Sequence, residues 1–322
     1  MRISWLCVLT AIAASSALSV LAGSGGLYPV VVSDRWGFIN NSGKLVANPQ
    51  FERAIAFSEG FAAVRLGRWG YADTSGGILI NPQFDKAGPF SGKLAAVEFD
   101  GRYGFINTSG KYVINPQFDE AGPFTEGRAA VKLGHRWGYI DKSGKLVVNP
   151  QFEDAAAFSE GVAAIQLAGR YGYTDPSGKI LINPQFDDAA AFSEGLAGIK
   201  LGHRWGYIDK TSKIVINPQF EEAGVFVDGL APVRSGGRWG FIDATGHYVV
   251  NPQFDEALPF SEGLAAARLG GRWGFVEKSG KFVINPQFDE AMSFADGLAR
   301  VVVGHRTGYI GPNGKYVWNP NK

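Results

Sequence analysis

From about residue 27 to residue 318 the chain alternates short apolar runs with polar, Gly-containing breaks, and the alternation never drifts. One stretch shows the grammar. "AAVKL" (129–133) is followed by a Gly break, then "RWGYID" (136–141), then "KSG", then "KLVV" (145–148). Runs of four to six residues rich in Val, Ile, Tyr and Trp, bounded by Gly, predict strands and tight turns. In "RWGYID" the period of two puts Trp137 and Tyr139 on one face and Gly138 and Ile140 on the other. "DKSG" carries Asp first and Gly last, a turn signature. Asn149-Pro150 is expected to stop the ladder, because Pro has no N–H to give and restricts the residue before it. The segment "QFEDAAAFSEG" (151–161) leads to the next run and predicts either a short further strand or one helical turn.

The pattern is a repeat. The Gly after the aromatic falls at Gly37, Gly70, Gly104, Gly138, Gly172, Gly206, Gly240, Gly274 and Gly308, first 33 and then 34 residues apart. A fixed period of this size means one supersecondary unit per repeat. Helical repeats share the period, but Asn-Pro, several Gly and β-branched runs in every unit oppose paired helices. In "KLVV" both parities are apolar, so such a sheet needs cover on both faces. A small meander is marginal alone, and each copy is therefore expected to bury its faces against the previous and the next. The repeated Gly is expected to make room for a neighbour's aromatic ring. The fold class expected is all-β, a tandem repeat of about nine 34-residue, three- to four-stranded antiparallel meanders, propeller-like. An open β-superhelix or solenoid is the alternative, since nine units exceed the usual number of propeller blades. The first unit lacks a preceding "QFDEA" segment and the last has Thr307 in place of the aromatic; both read as caps.

Residues 1–22 differ from the rest. Arg2, an apolar stretch from Ile3 to about Ala22, and the small residues Val20 and Ala22 before Gly23 make the pattern of a secretory signal peptide. An uncleaved membrane anchor is the alternative; no other membrane contact is expected. Residues 23–322 then form the repeat domain, and the expected location is exported, periplasmic or extracellular. Cys7 is the one cysteine, so the remainder offers no disulfide, thiol nucleophile or Cys metal site. The 31 basic and 30 acidic residues nearly cancel, which sets nucleic acid aside as a partner.

The consensus "RWGYID..GK.VINPQFDEA..FSEGLA.V" resembles the bacterial WG-repeat family, also called KWG repeats, over roughly residues 27–320. The Trp-Gly pair, the Asp-x-x-Gly turn, the Pro-x-Phe segment and the Phe-x-x-Gly-x-Ala segment recur in order. The resemblance implies a β-rich repeat domain used for binding, with no agreed catalytic residues to carry over. Tyr103 and Tyr171 for Trp, Thr307, Lys93 at the usual Gly and Ser212 at the turn Gly depart from the pattern, and are read as packing variants.

Three groups of residues tempt a chemical reading. Acid pairs follow the Phe: Asp119 and Glu120, Glu153 and Asp154, Asp187 and Asp188, Glu221 and Glu222, Asp255 and Glu256, Asp289 and Glu290. Glycosidase chemistry needs one unique pair, not six equivalent ones. The pairs could bind cations, but they are expected to pair with the Arg before each Trp-Gly, such as Arg136, Arg170 and Arg204. His135, His203 and His305 share one turn slot and His247 sits apart, whereas zinc needs ligands converging on a point. No phosphate loop or nucleophile elbow is present. The aromatics at the shared slot are Trp36, Trp69, Trp137, Trp205, Trp239 and Trp273, with Tyr103 and Tyr171; with Gly37, Gly70, Gly104, Gly138, Gly172, Gly206, Gly240 and Gly274 they are assigned as structural repeat positions, core packing being preferred to a sugar-stacking platform. No catalytic residue, cofactor or metal is assigned. The function expected is an exported, non-enzymatic binding or scaffold protein whose repeat surface recognises a protein or a cell-envelope component. A glycan-binding lectin or glycan-active enzyme is the alternative, and a spacer without ligand the third.

Overall fold

The computed structural model describes residues 26–319, and the expected signal peptide lies outside them. Among the described residues every regular element is a strand. Nine antiparallel sheets follow one another along the chain as propeller-type blades, a β-propeller fold built from tandem repeats. Blade one has three strands, Leu27–Val32, Arg35–Asn40 and Leu45–Phe51. Each later blade has four in sequence order, as in blade four: Glu120–Ala121, Ala129–Leu133, Arg136–Ile140 and Leu146–Phe152. The return segment thus supplies a two-residue strand, not a helical turn. Blade three departs, its first strand being Lys86–Ser91.

Turn chemistry sets the meander. Between the first and second strands of blade five, Glu160 and Gly161 both have positive φ, 53° and 83°, the backbone of a tight hairpin turn that favours Gly. Between the third and fourth strands of blade four, Asp141 Oδ1 accepts bonds from Ser143 N–H (2.9 Å), Ser143 Oγ (2.6 Å) and Lys145 N–H (3.1 Å). This side-chain turn fixes the reversal at "DKSG".

The Asn-Pro pair does not end the ladder. In blade four Trp137 pairs with Phe152 and Tyr139 with Val148, so two residues on the third strand face four on the fourth. The extra residues bulge around Asn149-Pro150 within the strand Leu146–Phe152. Pro is tolerated because this strand ends the sheet and its outer edge donates to no further strand. The bulge also explains the repeated Gly, and corrects the expected role. A Cβ on Gly138 would lie 2.4 Å from Val148 O and 2.8 Å from Pro150 N. The Gly makes room for the bulged backbone of its own blade, not for a neighbour's ring.

The described residues fall into two compact units, 26–185 and 186–319. In the first, hydrophobic clusters lie between successive blades: Phe38 and Phe51 of blade one with Phe57 and Val64 of blade two, and Phe105 and Phe118 of blade three with Phe124 and Val131 of blade four. The second unit repeats this, with Tyr207 and Phe220 of blade six against Phe226 and Val233 of blade seven. Small Ala residues on the second strands, such as Ala129 and Ala265, leave space for these rings. Within each unit successive blades therefore bury their faces on one another, as the repetition predicts. The last strand of the blade is the exception to two-sided cover. Its third residue and closing Phe are buried, but the first apolar pair, such as Leu45 and Val46 or Ile214 and Val215, stays exposed on the outer edge.

Candidate functional site

The residue after the Gly, not the Trp before it, carries the inter-blade core. Phe105 meets Phe124 of the next blade at 4.9 Å between ring centroids, Tyr139 meets Phe158 at 4.8 Å, and Tyr207 meets Phe226 at 4.9 Å. All three third-strand rings are fully buried. Tyr139 Oη donates to Ala156 O and Tyr207 Oη to Gly224 O, and burial pushes both phenols far above their ordinary pKa. The Trp slot is more open: Trp205 and Trp273 are buried, while Trp36, Trp69, Trp137 and Trp239 are half-buried. Lys132 Nζ stands 5.6 Å from the ring centre of Trp137, and Lys200 Nζ 5.9 Å from that of Trp205.

The acids serve as joints between blades. Asp119, between blades three and four, pairs with Arg102 of blade three and accepts the Gly134 N–H of blade four at 2.6 Å. Glu153 does the same with Arg136 (3.3 Å) and Gly169 N–H (2.8 Å), and these bonds, Gly169 first, hold its carboxyl below the ordinary range. Asp255 and Asp289 pair with Arg238 and Arg272. Arg204 donates to Gln219 O at 3.3 Å, and the acid after its blade, Glu221, faces Arg234 at 3.6 Å. The second acid of each pair lies on the first strand. Glu120, Glu222 and Glu256 reach a cation on the second, Lys132, Arg234 and Arg268 in turn, whereas Asp154 and Glu290 stand opposite Gln166 and Val302. Among the described residues no three His, Cys, Asp or Glu side chains gather as a metal site. His135, His203, His247 and His305 are exposed turn residues.

A second row of joints went unread in the sequence. Ser58, Ser91, Ser193 and Ser261, in the turn after the buried Phe, each donate Oγ to the equivalent Phe carbonyl of the next blade at 2.5–2.7 Å. The Glu that follows this slot in most repeats, in left-handed backbone, accepts N–H groups from the following turn: Glu59 from Gly92 and Lys93, Glu126 (after Thr125) from Gly161, Glu194 from Gly229, Glu262 from Gly297. The recurrence of Ser-Glu-Gly carried the signal, but a turn motif does not say which neighbour it grips.

Between blades three and four lies a cleft of about 280 Å³, lined by Lys86, Gly88, Pro89 and Tyr103 from blade three and Ala121 and Pro123 from blade four, with Ala residues filling the gaps. Tyr103 holds the slot that Trp occupies in most repeats, and a phenol is smaller than an indole. The charge order beside it is reversed: Lys86 is on the first strand and Glu98 on the second, 2.7 Å apart, against Glu120 and Lys132 in blade four. Lys86 Nζ also donates to Tyr103 Oη at 3.4 Å and stands 5.7 Å from the ring centre. Burial and Glu98 push the Tyr103 phenol up, and the Glu98 and Tyr103 bonds raise Lys86. The site is thus mainly apolar, with a neutralised ion pair at its lip. Tyr103 was legible as a departure; Lys86, Gly88-Pro89 and Pro123 were missed, although the swapped charges were there to be compared.

Comparison with known proteins agrees on the fold. Among solved structures, one titled as the crystal structure of the eukaryotic initiation factor superposes with a TM-score of 0.66 at 13% identity, covering 90% of this chain and 94% of that one. The dihydro-heme d1 dehydrogenase NirN (TM-score 0.49, 13% identity, 81% and 74% covered) and apo AztD from Citrobacter koseri (0.46, 14%, 80% and 92%) are looser matches. At these identities the likeness concerns the fold alone. No curated protein matches the chain. The model of the WG containing repeat matches in tandem over residues 36–68, 69–103, 103–134, 137–171, 171–202, 205–239, 239–273 and 273–304. Each match runs from the strand that carries the aromatic-Gly pair in one blade to the end of the second strand or the start of the third in the next, so the sequence repeat spans parts of two consecutive blades. The chain belongs to the WG-containing-repeat family.

Proposed function

We propose that the chain is an exported, non-enzymatic binding or scaffold protein, whose blade surfaces recognise a protein or a cell-envelope component. The observation that carries this reading is the use made of the reactive-looking groups. The acids that recur after each Phe are tied into blade-to-blade joints, as Asp119 and Glu153 show, and the cleft between blades three and four is walled by Pro, Ala and Tyr with its one ion pair internally satisfied. A cleft of this lining suits recognition of an apolar or ring-shaped group. The test is a panel of glycosides, esters and peptides offered to the protein freed of residues 1–22. No turnover is expected; turnover abolished by one acid-to-amide change, such as Glu98→Gln, would overturn the reading.

The half-buried Trp36, Trp69, Trp137 and Trp239 favour a second reading, a glycan-binding lectin. Tryptophan emission with acrylamide quenching, before and after adding envelope polysaccharides, separates the two. Protected emission that does not respond to glycan is expected from the first reading. Easily quenched emission that shifts on adding glycan would put the lectin ahead.

A further inference from the structure

We infer that the cleft between blades three and four is a socket for one aromatic side chain presented by a partner polypeptide. This rests on the binding-protein reading and names the chemistry that its site would take.

The argument begins with the molecule's own use of the equivalent place. At the next interface, Trp137 packs against the core shared by blades four and five, with the Lys132 ammonium over its ring. Trp205 is placed alike against blade seven, with Lys200 over it. The interface therefore accommodates an indole beneath a lysine, and the chain supplies that indole itself. At blades three and four it does not. Tyr103 packs against the local core but also walls an open cleft, and Lys86 still stands over the ring.

The walls suit a flat ring. Pro89 and Pro123 line it with apolar rings from the two blades, Gly88 and Ala121 add little bulk, and Tyr103 contributes an aromatic ring. The Lys86 side chain keeps 66% of its surface exposed while its ammonium is held by Glu98, so its methylene stem can lie along the edge of an entering ring. A buried indole N–H or phenol O–H needs an acceptor, and the Tyr103 oxygen, which already receives Lys86, is one at the wall. A volume near 280 Å³ falls at or below the small end of ligand pockets, which matches one side chain and not an extended oligosaccharide.

The experiment uses fluorine NMR of the protein without residues 1–22 and two probes, free fluoroindole and a blocked pentapeptide of four glycines around a central fluorotryptophan. Both resonances are expected to broaden with the wild-type protein. With Tyr103→Trp, which places in the slot the residue most repeats carry and narrows the cleft, the broadening should weaken while the urea unfolding midpoint is kept or raised. Ala121→Leu, which fills the cleft from the opposite wall, should have the same effect and guards against an unexpected consequence of the first change. No broadening with wild type, or equal broadening with both variants, would remove the socket. Broadening of fluoroindole but not of the peptide would overturn the polypeptide occupant. The underlying reading fails separately: substrate turnover in the panel above removes it without affecting probe binding, and an unfilled cleft leaves it standing.

Discussion

Two neighbouring interfaces, blades three–four and four–five, are built to one plan and differ at their margins. Both centre on a third-strand ring against the Phe of the next blade, Phe105 on Phe124 at 4.9 Å and Tyr139 on Phe158 at 4.8 Å. Both are joined by an acid that takes an Arg from one blade and a Gly N–H from the other. Around that centre the details trade places. Ser91 Oγ bonds Phe124 O at the first interface, while Thr125 Oγ1 at the second is buried without a protein partner. Tyr139 adds a hydroxyl bond at the second that Phe105 cannot make. Trp137 packs on the core at the second, and Tyr103 leaves a cleft at the first. The repeat thus keeps its stacked rings fixed and lets the flanking positions vary, which is where a binding function can be written without loss of fold.

The largest effect expected is at the shared centre. Phe105→Ala and Tyr139→Ala should each lower stability by about 3–5 kcal/mol, because a fully buried ring is removed from a packed interface. Trp137→Ala, at a half-buried position, should cost less than Tyr139→Ala. Thr307→Ala, which loses a methyl and a hydroxyl that accepts from Arg300 at 3.2 Å in the last repeat, should cost less again, about 1 kcal/mol. Urea unfolding midpoints give the order. If Trp137→Ala proved as costly as Tyr139→Ala, the Trp slot would be as central as the rings after the Gly.

Next is the Gly of the Trp-Gly pair. Gly104→Ala and Gly138→Ala would each press a methyl against backbone of their own fourth strand, at 2.6 and 2.4 Å from a carbonyl oxygen. Each should cost about 1–3 kcal/mol or more, alike at both interfaces. Gly134→Ala, on a turn with nothing within 4 Å, meets only the strain of a positive φ of 63° and should cost less. Equal losses at all three would remove the bulge as the reason for the Gly.

Much of this was legible from periodicity. The 34-residue spacing and the alternation in "RWGYID" located the blades and the third strand, because strand parity is a local property of sequence. The Asn-Pro pair was read as a stop because Pro is a local breaker, yet its strand lies at a sheet edge where the missing N–H costs nothing, and edge position is a tertiary fact. The Gly role failed similarly, since which backbone closes on Gly138 depends on the bulge opposite it. The exposure of Leu45 and Val46 was hidden by their composition, which suits a covered strand. Of the cleft, Tyr103 stood out as a substitution, but Lys86 and Glu98 make sense only once strand pairing brings them side by side.

A smaller effect is expected from exchanging the aromatics across the two interfaces. Tyr103→Trp should raise stability by about 0.5–1 kcal/mol by filling part of the cleft. Trp137→Tyr should lower it by a similar amount and open the corresponding space. A solved structure of the Trp137→Tyr variant, or its binding of fluoroindole, checks the second half. If Tyr103→Trp were destabilising, Gly88-Pro89 and Pro123 would be holding the cleft open, and the difference between the interfaces would lie in those loops and not in the missing indole.

The smallest effect concerns the turn between third and fourth strands, where blade three uses Asn107 and blade four Asp141. Both side chains accept the same three bonds, Asn107 Oδ1 from Ser109 N–H, Ser109 Oγ and Lys111 N–H at 3.0, 2.7 and 3.1 Å. Only Asp141 titrates, and the Ser143 hydroxyl, with the Ser143 and Lys145 N–H groups, holds its carboxyl below the ordinary value. A carboxyl whose folded pKa lies below its unfolded value, near 3.9, stabilises the fold fully above about pH 4. That contribution disappears as pH falls through the lower, folded value. Asp141→Asn should therefore change the urea midpoint most at neutral pH, with the two curves converging in acid. Asn107→Asp should do the reverse, adding a contribution present at neutral pH and absent in acid. Curves that stay parallel from neutral pH to the acid limb would mean that the charge on Asp141 adds nothing to the bonds its oxygen makes, and that the two turns are equivalent despite their chemistry.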